Sequence, residues 1–137
     1  MRIVVDTNIL FSALLRMPNR YATTILLGEY SFYSPEFVFV ELFKYKEKIM
    51  KYSKLEEDEL LELLHRLLKC VRIGEEERIS ESSLNQAYEL CKDVDLKDIL
   101  FVALTINLDG RLWTSDDKLK KGLVKKGFTS FYEEKAL

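Results

Sequence analysis

The chain has 137 residues, which is enough for one well-buried core and too few for two ordinary domains. Hydrophobic residues make up 47% and charged residues 32%, a balance that excludes a disordered chain and is typical of a globular protein. The net charge of −2 does not by itself indicate nucleic-acid binding, so local features would have to attract a polyanion. We expect one domain over residues 1–137.

Cysteine content and terminal composition indicate where the protein works. Cys70 and Cys91 are too few for a disulfide scaffold and form no C-x-x-C pair, which argues against zinc and favours a reducing cytoplasm. The N-terminus reaches Asp6 after three apolar residues, too few for a signal-peptide core, and no later stretch approaches a membrane span. We therefore expect a cytoplasmic protein with no membrane partner.

Short apolar runs alternate with helical patterns along the whole chain. Strands are predicted at residues 3–5, 31–34, 70–73 and 111–113, with a last strand near Phe128. Helices are predicted at residues 8–15, 21–27, 35–52, 55–68, 84–91, 97–108 and 116–125. Such alternation favours a parallel sheet with helices on both faces. The predicted fold class is α/β, a three-layer α/β/α sandwich with a central parallel sheet of four or five short strands.

Two acids directly follow predicted strands. Asp6 comes after the strand at residues 3–5, and Asp116 ends the triplet that follows the strand at 111–113. Open α/β sheets bind ligands beyond the carboxyl ends of their strands, where these two acids could converge. Taken alone, each acid is better explained as the cap of the helix that follows it.

Glu41 falls inside an apolar helical stripe. Val38, Leu42, Tyr45 and Ile49 recur at the spacing of one helix face, and Glu41 lies between the first two. An inward-pointing ionised carboxylate is costly unless it is paired or coordinates a metal. The alternatives are a buried ion pair or a place at the edge of the stripe, and we favour use in a site.

A fourth acid opens the most apolar helix of the chain. Asp98 precedes an uninterrupted apolar run at residues 99–104, so the start of this buried helix is expected in a crevice. Asp95 is the predicted cap and Asp98 the better ligand. Clustered carboxylates repel one another unless a cation neutralises them, and such oxygen ligands suit Mg²⁺ or Mn²⁺.

Four segments, taken in order, resemble the PIN-domain family over nearly the whole chain. Residues 4–8 match the family's first strand, its first acid and the small polar residue and Asn that follow. Glu41 stands in the helix that carries the family's second acid, and residues 95–104 resemble the segment of the third. Residues 112–116 resemble the segment with a hydroxyl residue and the fourth acid. The resemblance is closest to the small prokaryotic branch that includes VapC-type toxins of toxin–antitoxin pairs.

This resemblance implies Mg²⁺- or Mn²⁺-dependent cleavage of single-stranded or looped RNA, in which the metal lowers the pKa of a bound water. The implied catalytic residues are the four acids Asp6, Glu41, Asp98 and Asp116. Asp6, Asp98 and Asp116 are the implied metal ligands. Residues adjacent to the acids are expected to support them: Thr7, Asn8, Asp95, Thr114 and Ser115.

Basic residues near the acids are candidates for binding the substrate. Arg16 and Arg20 flank the loop after the first helix, and Lys118 follows Asp116. Phosphate contacts from such residues would give affinity with little sequence selectivity. The alternative is that most of the lysines near Lys118 only solvate a helix surface.

The predicted helix at residues 35–52 is apolar on two sides. Phe39, Phe43 and Met50 lie on the face opposite Val38. A helix of this kind is often covered on both sides, so we expect a homodimer through it, with an antitoxin helix in a groove as the second hypothesis.

Two other function classes remain open. One is a catalytically silent RNA- or protein-binding module on the same fold, although all four acids are present. The other is a Mg²⁺-dependent phosphatase. Haloacid-dehalogenase-type phosphatases need a second Asp two residues after the nucleophile, and here that position is Asn8.

Overall fold

The computed structural model describes residues 1–15 and 19–134. Within them a single all-parallel sheet has the strand order β3-β2-β1-β4. Its strands are β1 (Arg2–Val5), β2 (Ser31–Ser34), β3 (Val71–Ile73) and β4 (Arg111–Trp113). The predicted last strand is reduced to one bridge between Phe131 and Leu112. The N–H of Leu112 donates to the carbonyl of Ser130, and that of Tyr132 donates to Leu112, so pairing lasts for a single residue.

Eight α-helices of the described residues flank this sheet, which confirms the α/β/α class. They are α1 (Thr7–Ala13), α2 (Arg20–Leu27), α3 (Phe37–Lys44), α4 (Lys46–Ser53), α5 (Glu57–Lys69), α6 (Glu81–Cys91), α7 (Ile99–Asn107) and α8 (Asp117–Lys125). Short 3₁₀ turns lie at Glu75–Arg78 and Leu96–Asp98. In the part of the chain described, no helix is both long enough and apolar enough to cross a membrane.

The prediction of a single long helix at residues 35–52 is wrong, because the structure has two helices there, α3 and α4. The backbone of Tyr45 leaves the helical region at φ −97° and ψ 11°, which separates α3 from α4. The Tyr45 N–H still donates to Glu41, and its carbonyl still accepts from Ile49, so the bend breaks neither hydrogen bond. Val38, Leu42 and Ile49 pack into the same core on either side of the bend.

The two faces of the sheet carry separate cores because side chains alternate along each strand. Ile3 and Val5 of β1 pack under α1 to α5, together with Phe32 and Trp113. Val4 faces the opposite side, where α6, α7 and α8 pack. The chain therefore completes one helical layer before it starts the other. The apolar helix α7 is buried, as predicted, with residues 101–105 almost fully inaccessible.

The order of the strands creates a crevice at the carboxyl edge of the sheet. From β1 the chain moves outward to β2 and β3, and it then returns past β1 to place β4 on the other side. The connections after β1 and β4 thus leave on opposite faces of the sheet. Such a switch point is where open α/β sheets bind ligands.

Gly122 lets α8 approach the turn that follows α6. A Cβ at this position would lie 2.7 and 2.8 Å from the two methyl carbons of Val94. We expect Gly122→Ala to lower the free energy of unfolding by about 1 kcal/mol. Overpacking costs about 2 kcal/mol, whereas Ala gains about 1 kcal/mol over Gly in a helix. Urea unfolding measures the change, and adding Val94→Ala should recover stability relative to the sum of the single changes. A Gly122→Ala protein more stable than the wild type would contradict this packing.

Candidate active site

The ends of β1 and β4 bring Asp6 and Thr114 together. Val5 pairs with Trp113 in the parallel register, so Asp6 and Thr114 leave the sheet as neighbours. The Asp6 N–H still donates to the carbonyl of Trp113 at 3.2 Å. Both side chains are buried, and the Thr114 side chain hydrogen-bonds to the Asp6 carboxylate. Because the Thr114 hydroxyl oxygen also accepts from the N–H of Asp116 at 3.1 Å, Thr114 joins the two acids.

Asp6 and Asp116 each cap a helix, as the simpler interpretation of the sequence held. Oδ1 of Asp6 accepts from the N–H of Ile9 at 2.9 Å, and Oδ1 of Asp116 accepts from the N–H of Leu119 at 3.1 Å. A carboxylate has two oxygens and about four acceptor positions, so one capping bond does not exhaust it. Capping instead fixes the direction in which each carboxylate points.

Glu41 reaches the same crevice from α3. The hydroxyl of Thr7 donates to its Oε1 at 2.6 Å, which ties the first residue of α1 to the middle of α3. Glu41 is half-buried, and its charge contributes to raising the pKa of both Asp6 and Asp98. The predicted inward position of Glu41 is therefore what the structure has, with Thr7 as its partner.

Asp98 enters the crevice as the residue before α7. Its half-buried carboxylate makes no capping bond to its own helix. Asp95 caps the 3₁₀ turn Leu96–Asp98, which leads into α7. Its Oδ1 accepts from the N–H of Lys97 at 3.0 Å. We define the acid pocket as Asp6, Glu41, Asp98 and Asp116.

Three of these four acids are the N-cap residues of helices. Asp6 precedes α1, Asp98 precedes α7 and Asp116 precedes α8. The N-terminus of a helix carries a partial positive charge and unpaired N–H groups, and both favour an anion placed there. Three helix ends thus offset part of the negative charge in the pocket.

That offset is incomplete, as the pKa values of the pocket show. Burial, with smaller contributions from Asp116 and Glu41, raises the pKa of Asp6 to about 6, against the lowering effect of hydrogen bonds from Thr114 and Ile9. Burial, followed by Asp95 and the other pocket acids, raises the pKa of Asp98 to about 7. Within residues 1–15 and 19–134, no Lys or Arg side chain contributes to lowering either value.

The donor set of the pocket fits a hard divalent cation. Its charged groups are all carboxylates, with hydroxyls beside them, and the one histidine of the chain lies on α5. Oxygen ligands of this kind suit Mg²⁺ or Mn²⁺ better than zinc. As they stand, no three acidic, His or Cys side chains of the described residues gather closely enough to hold one ion. The acids influence one another's pKa without forming a closed ligand shell.

Other residues predicted from the sequence lie around the pocket or away from it. Asn8 and Ser115 are exposed beside the capped acids. The Arg20 guanidinium lies 3.1 Å from Glu134 and over the ring of Tyr21, so it is engaged with the C-terminal segment. Lys118 is exposed on α8, two residues beyond Asp116. The predicted contact from residue 16, an arginine, lies outside the described residues.

Two residues that position the pocket were missed by sequence reasoning. The fully buried hydroxyl of Ser34 donates to the carbonyl of Val5 at 2.9 Å and so fixes the chain just before Asp6. The carboxylate of Glu76 accepts from the N–H of Glu36, the residue that precedes α3, the helix that bears Glu41. A serine at the end of a strand was a possible signal for the first contact. The second joins residues 40 positions apart and has no local signal.

Asp98→Asn tests the repulsion in the pocket. A folded-state pKa of about 7, above the unfolded value, means that the folded protein binds this proton more tightly. Stability from this group is thus fully present below the unfolded value of 3.8, and it is lost progressively as the pH rises to about 7. In EDTA at pH 8 the variant should be more stable than the wild type, on the order of 1 kcal/mol after discounting for solvent screening. At pH 5, which lies between the unfolded value of 3.8 and the folded value of about 7, the difference should be roughly a third as large.

Thermal unfolding at the two pH values measures this difference. The matched control is Asp117→Asn, an exposed acid at the start of α8. Its effect should be similar at both pH values. An Asp98→Asn protein less stable than the wild type at pH 8 would show that the charge is compensated in the folded state.

Comparison with known proteins agrees with this architecture. No curated protein matches the chain. A family model described as the PIN domain matches residues 4–133, a range that includes all four acids of the pocket. The chain therefore belongs to the PIN-domain family, whose members are typically metal-dependent nucleases.

Proposed function

We propose that this protein is an endoribonuclease that hydrolyses RNA phosphodiester bonds with Mg²⁺ or Mn²⁺ held in the acid pocket. One observation carries the proposal. Four carboxylates from four separate parts of the chain face one crevice at the switch point of a parallel sheet, and no Lys or Arg of the described residues lowers the raised pKa of Asp6 or Asp98. Family membership supports the metal-dependent nuclease chemistry. The choice of RNA rests on the resemblance of residues 4–8 and 112–116 to the ribonuclease branch.

Each acid has a distinct part in this proposal. Asp6, Asp98 and Asp116 hold the metal, and Glu41, aligned by Thr7, completes the negative wall of the pocket. Bound there, a divalent ion supplies an activated water near neutral pH and offsets charge that develops on the phosphate. Thr114 orients both Asp6 and Asp116, so its loss should disturb two ligands at once.

We extend the proposal to a toxin of a VapBC-type pair, on the same resemblance. A toxin of this kind acts on few RNAs, so a single arbitrary oligonucleotide is a weak probe. Total cellular RNA contains the target whichever molecule it is. The substrate pool for the test therefore includes total RNA beside short single strands.

The test is cleavage of labelled RNA by the purified protein in Mn²⁺ or Mg²⁺, with EDTA and the same sequence as DNA in parallel. We expect RNA cleavage that EDTA abolishes. Asp6→Asn should reduce it by more than about 100-fold, the loss expected for a metal ligand rather than an outer-shell partner. Because Asn caps helices as well as Asp does, the variant should still fold.

Asp117→Asn is the matched control and should retain activity, since this exposed acid adjoins Asp116. Cleavage that survives Asp6→Asn would place the chemistry outside the acid pocket. Cleavage of DNA alone would keep the nuclease and overturn RNA as the substrate. If total RNA and the other substrates all stay intact with either metal, catalysis is overturned in favour of a silent binding module.

A further inference from the structure

We propose that a groove on α8 binds the backbone of the RNA strand beside the bond that is cleaved. This inference rests on the proposed function and deepens it. The groove has a volume of about 580 Å³ and lies between α8 and the turn at Asp93 and Val94. It is lined by Lys118, Lys121 and Lys125.

The three lysines form one face of the helix. Their spacing of i, i+3 and i+7 places neighbouring side chains about 5–6 Å apart along α8. All three are exposed, and none makes an ion pair within residues 1–15 and 19–134. A row of unpaired ammonium groups in a chain of net charge −2 is a local concentration of positive charge.

The remaining lysines of this segment have other partners. Lys120 points to the opposite side, 3.4 Å from Glu133 and over the ring of Phe131. Lys126 lines the groove but is held 2.9 Å from Asp93 and 3.0 Å from the carbonyl of Glu89. Lys118, Lys121 and Lys125 are therefore the lysines of α8 that remain available to phosphates on the groove face.

Each wall of the groove is continuous along the chain with an acid of the pocket. One wall is α8, whose N-cap is Asp116. The other is the turn that continues through Asp95 into the 3₁₀ turn Leu96–Asp98. Gly122 of α8 and Val94 of the turn both line the groove. In this proposal, an RNA strand that enters the pocket between Asp98 and Asp116 continues along the three lysines of α8.

The test is the binding of a short single-stranded RNA, measured by fluorescence anisotropy at several salt concentrations. Asp6→Asn serves as the background so that the RNA stays intact. Replacing Lys118, Lys121 and Lys125 by Gln should weaken binding at least 10-fold at low salt. It should also reduce the slope of log affinity against log salt by about 2, since each single-strand phosphate contact contributes about 0.7.

The matched control replaces three exposed lysines of the opposite layer by Gln: Lys51, Lys54 and Lys69. It makes the same change in net charge and should leave the salt slope unchanged. Equal slopes for the two triple variants would overturn the groove, whether or not the wild type cleaves RNA. Failure of cleavage with the slope difference intact would instead overturn the catalytic proposal alone. Tighter binding of an acidic peptide than of RNA would also overturn RNA as the occupant.

Discussion

Burial of acidic side chains together in one crevice is the constraint on which the rest of this structure depends. Burial, with smaller contributions from the charges of Asp116 and Glu41, raises the pKa of Asp6 to about 6. The fold limits the cost of this burial because three helices begin at the pocket. The partial positive charges of their N-termini therefore lie next to the acids. Thr114 and Thr7 add hydrogen bonds that hold individual carboxylates in place. What remains uncompensated is the charge that a divalent cation would neutralise.

The topology of the sheet explains why these acids can meet although they lie far apart in the chain. The central strand β1 pairs with β4 at the edge of the sheet, and the helices that follow them pack on opposite faces. The pocket therefore receives α1 and α3 from one helical layer and α7 and α8 from the other. Because each layer has its own core, the side chains that set the pocket's electrostatics do not have to provide the stability of the fold. The same arrangement puts the lysine row on α8, the helix that Asp116 caps.

Much of the architecture could be read from local patterns, and the exceptions share a cause. The β-branched run before Asp6 and the uniformly apolar segment of α7 predicted a buried strand and a buried helix, which the structure contains. The bend at Tyr45 was missed because helical periodicity continues across it and both flanking hydrogen bonds survive. The final strand was overestimated because pairing at Phe131 depends on where the C-terminal segment meets β4. The contact of Glu76 with Glu36 was not predicted because the two residues lie 40 positions apart in the chain.

The sequence by itself determined the fold class, the strands that end in acids, and the anomaly of a charged Glu41 within an apolar stripe. These depend on period, side-chain type and order along the chain, which a single sequence displays. Only the tertiary structure decided that Asp6 and Asp116 share one pocket and that Thr7 contacts Glu41. It also decided that three lysines of α8 line one groove while Lys120 and Lys126 take other partners. Those outcomes depend on strand register and helix packing, which join residues far apart in the chain and leave no local signature.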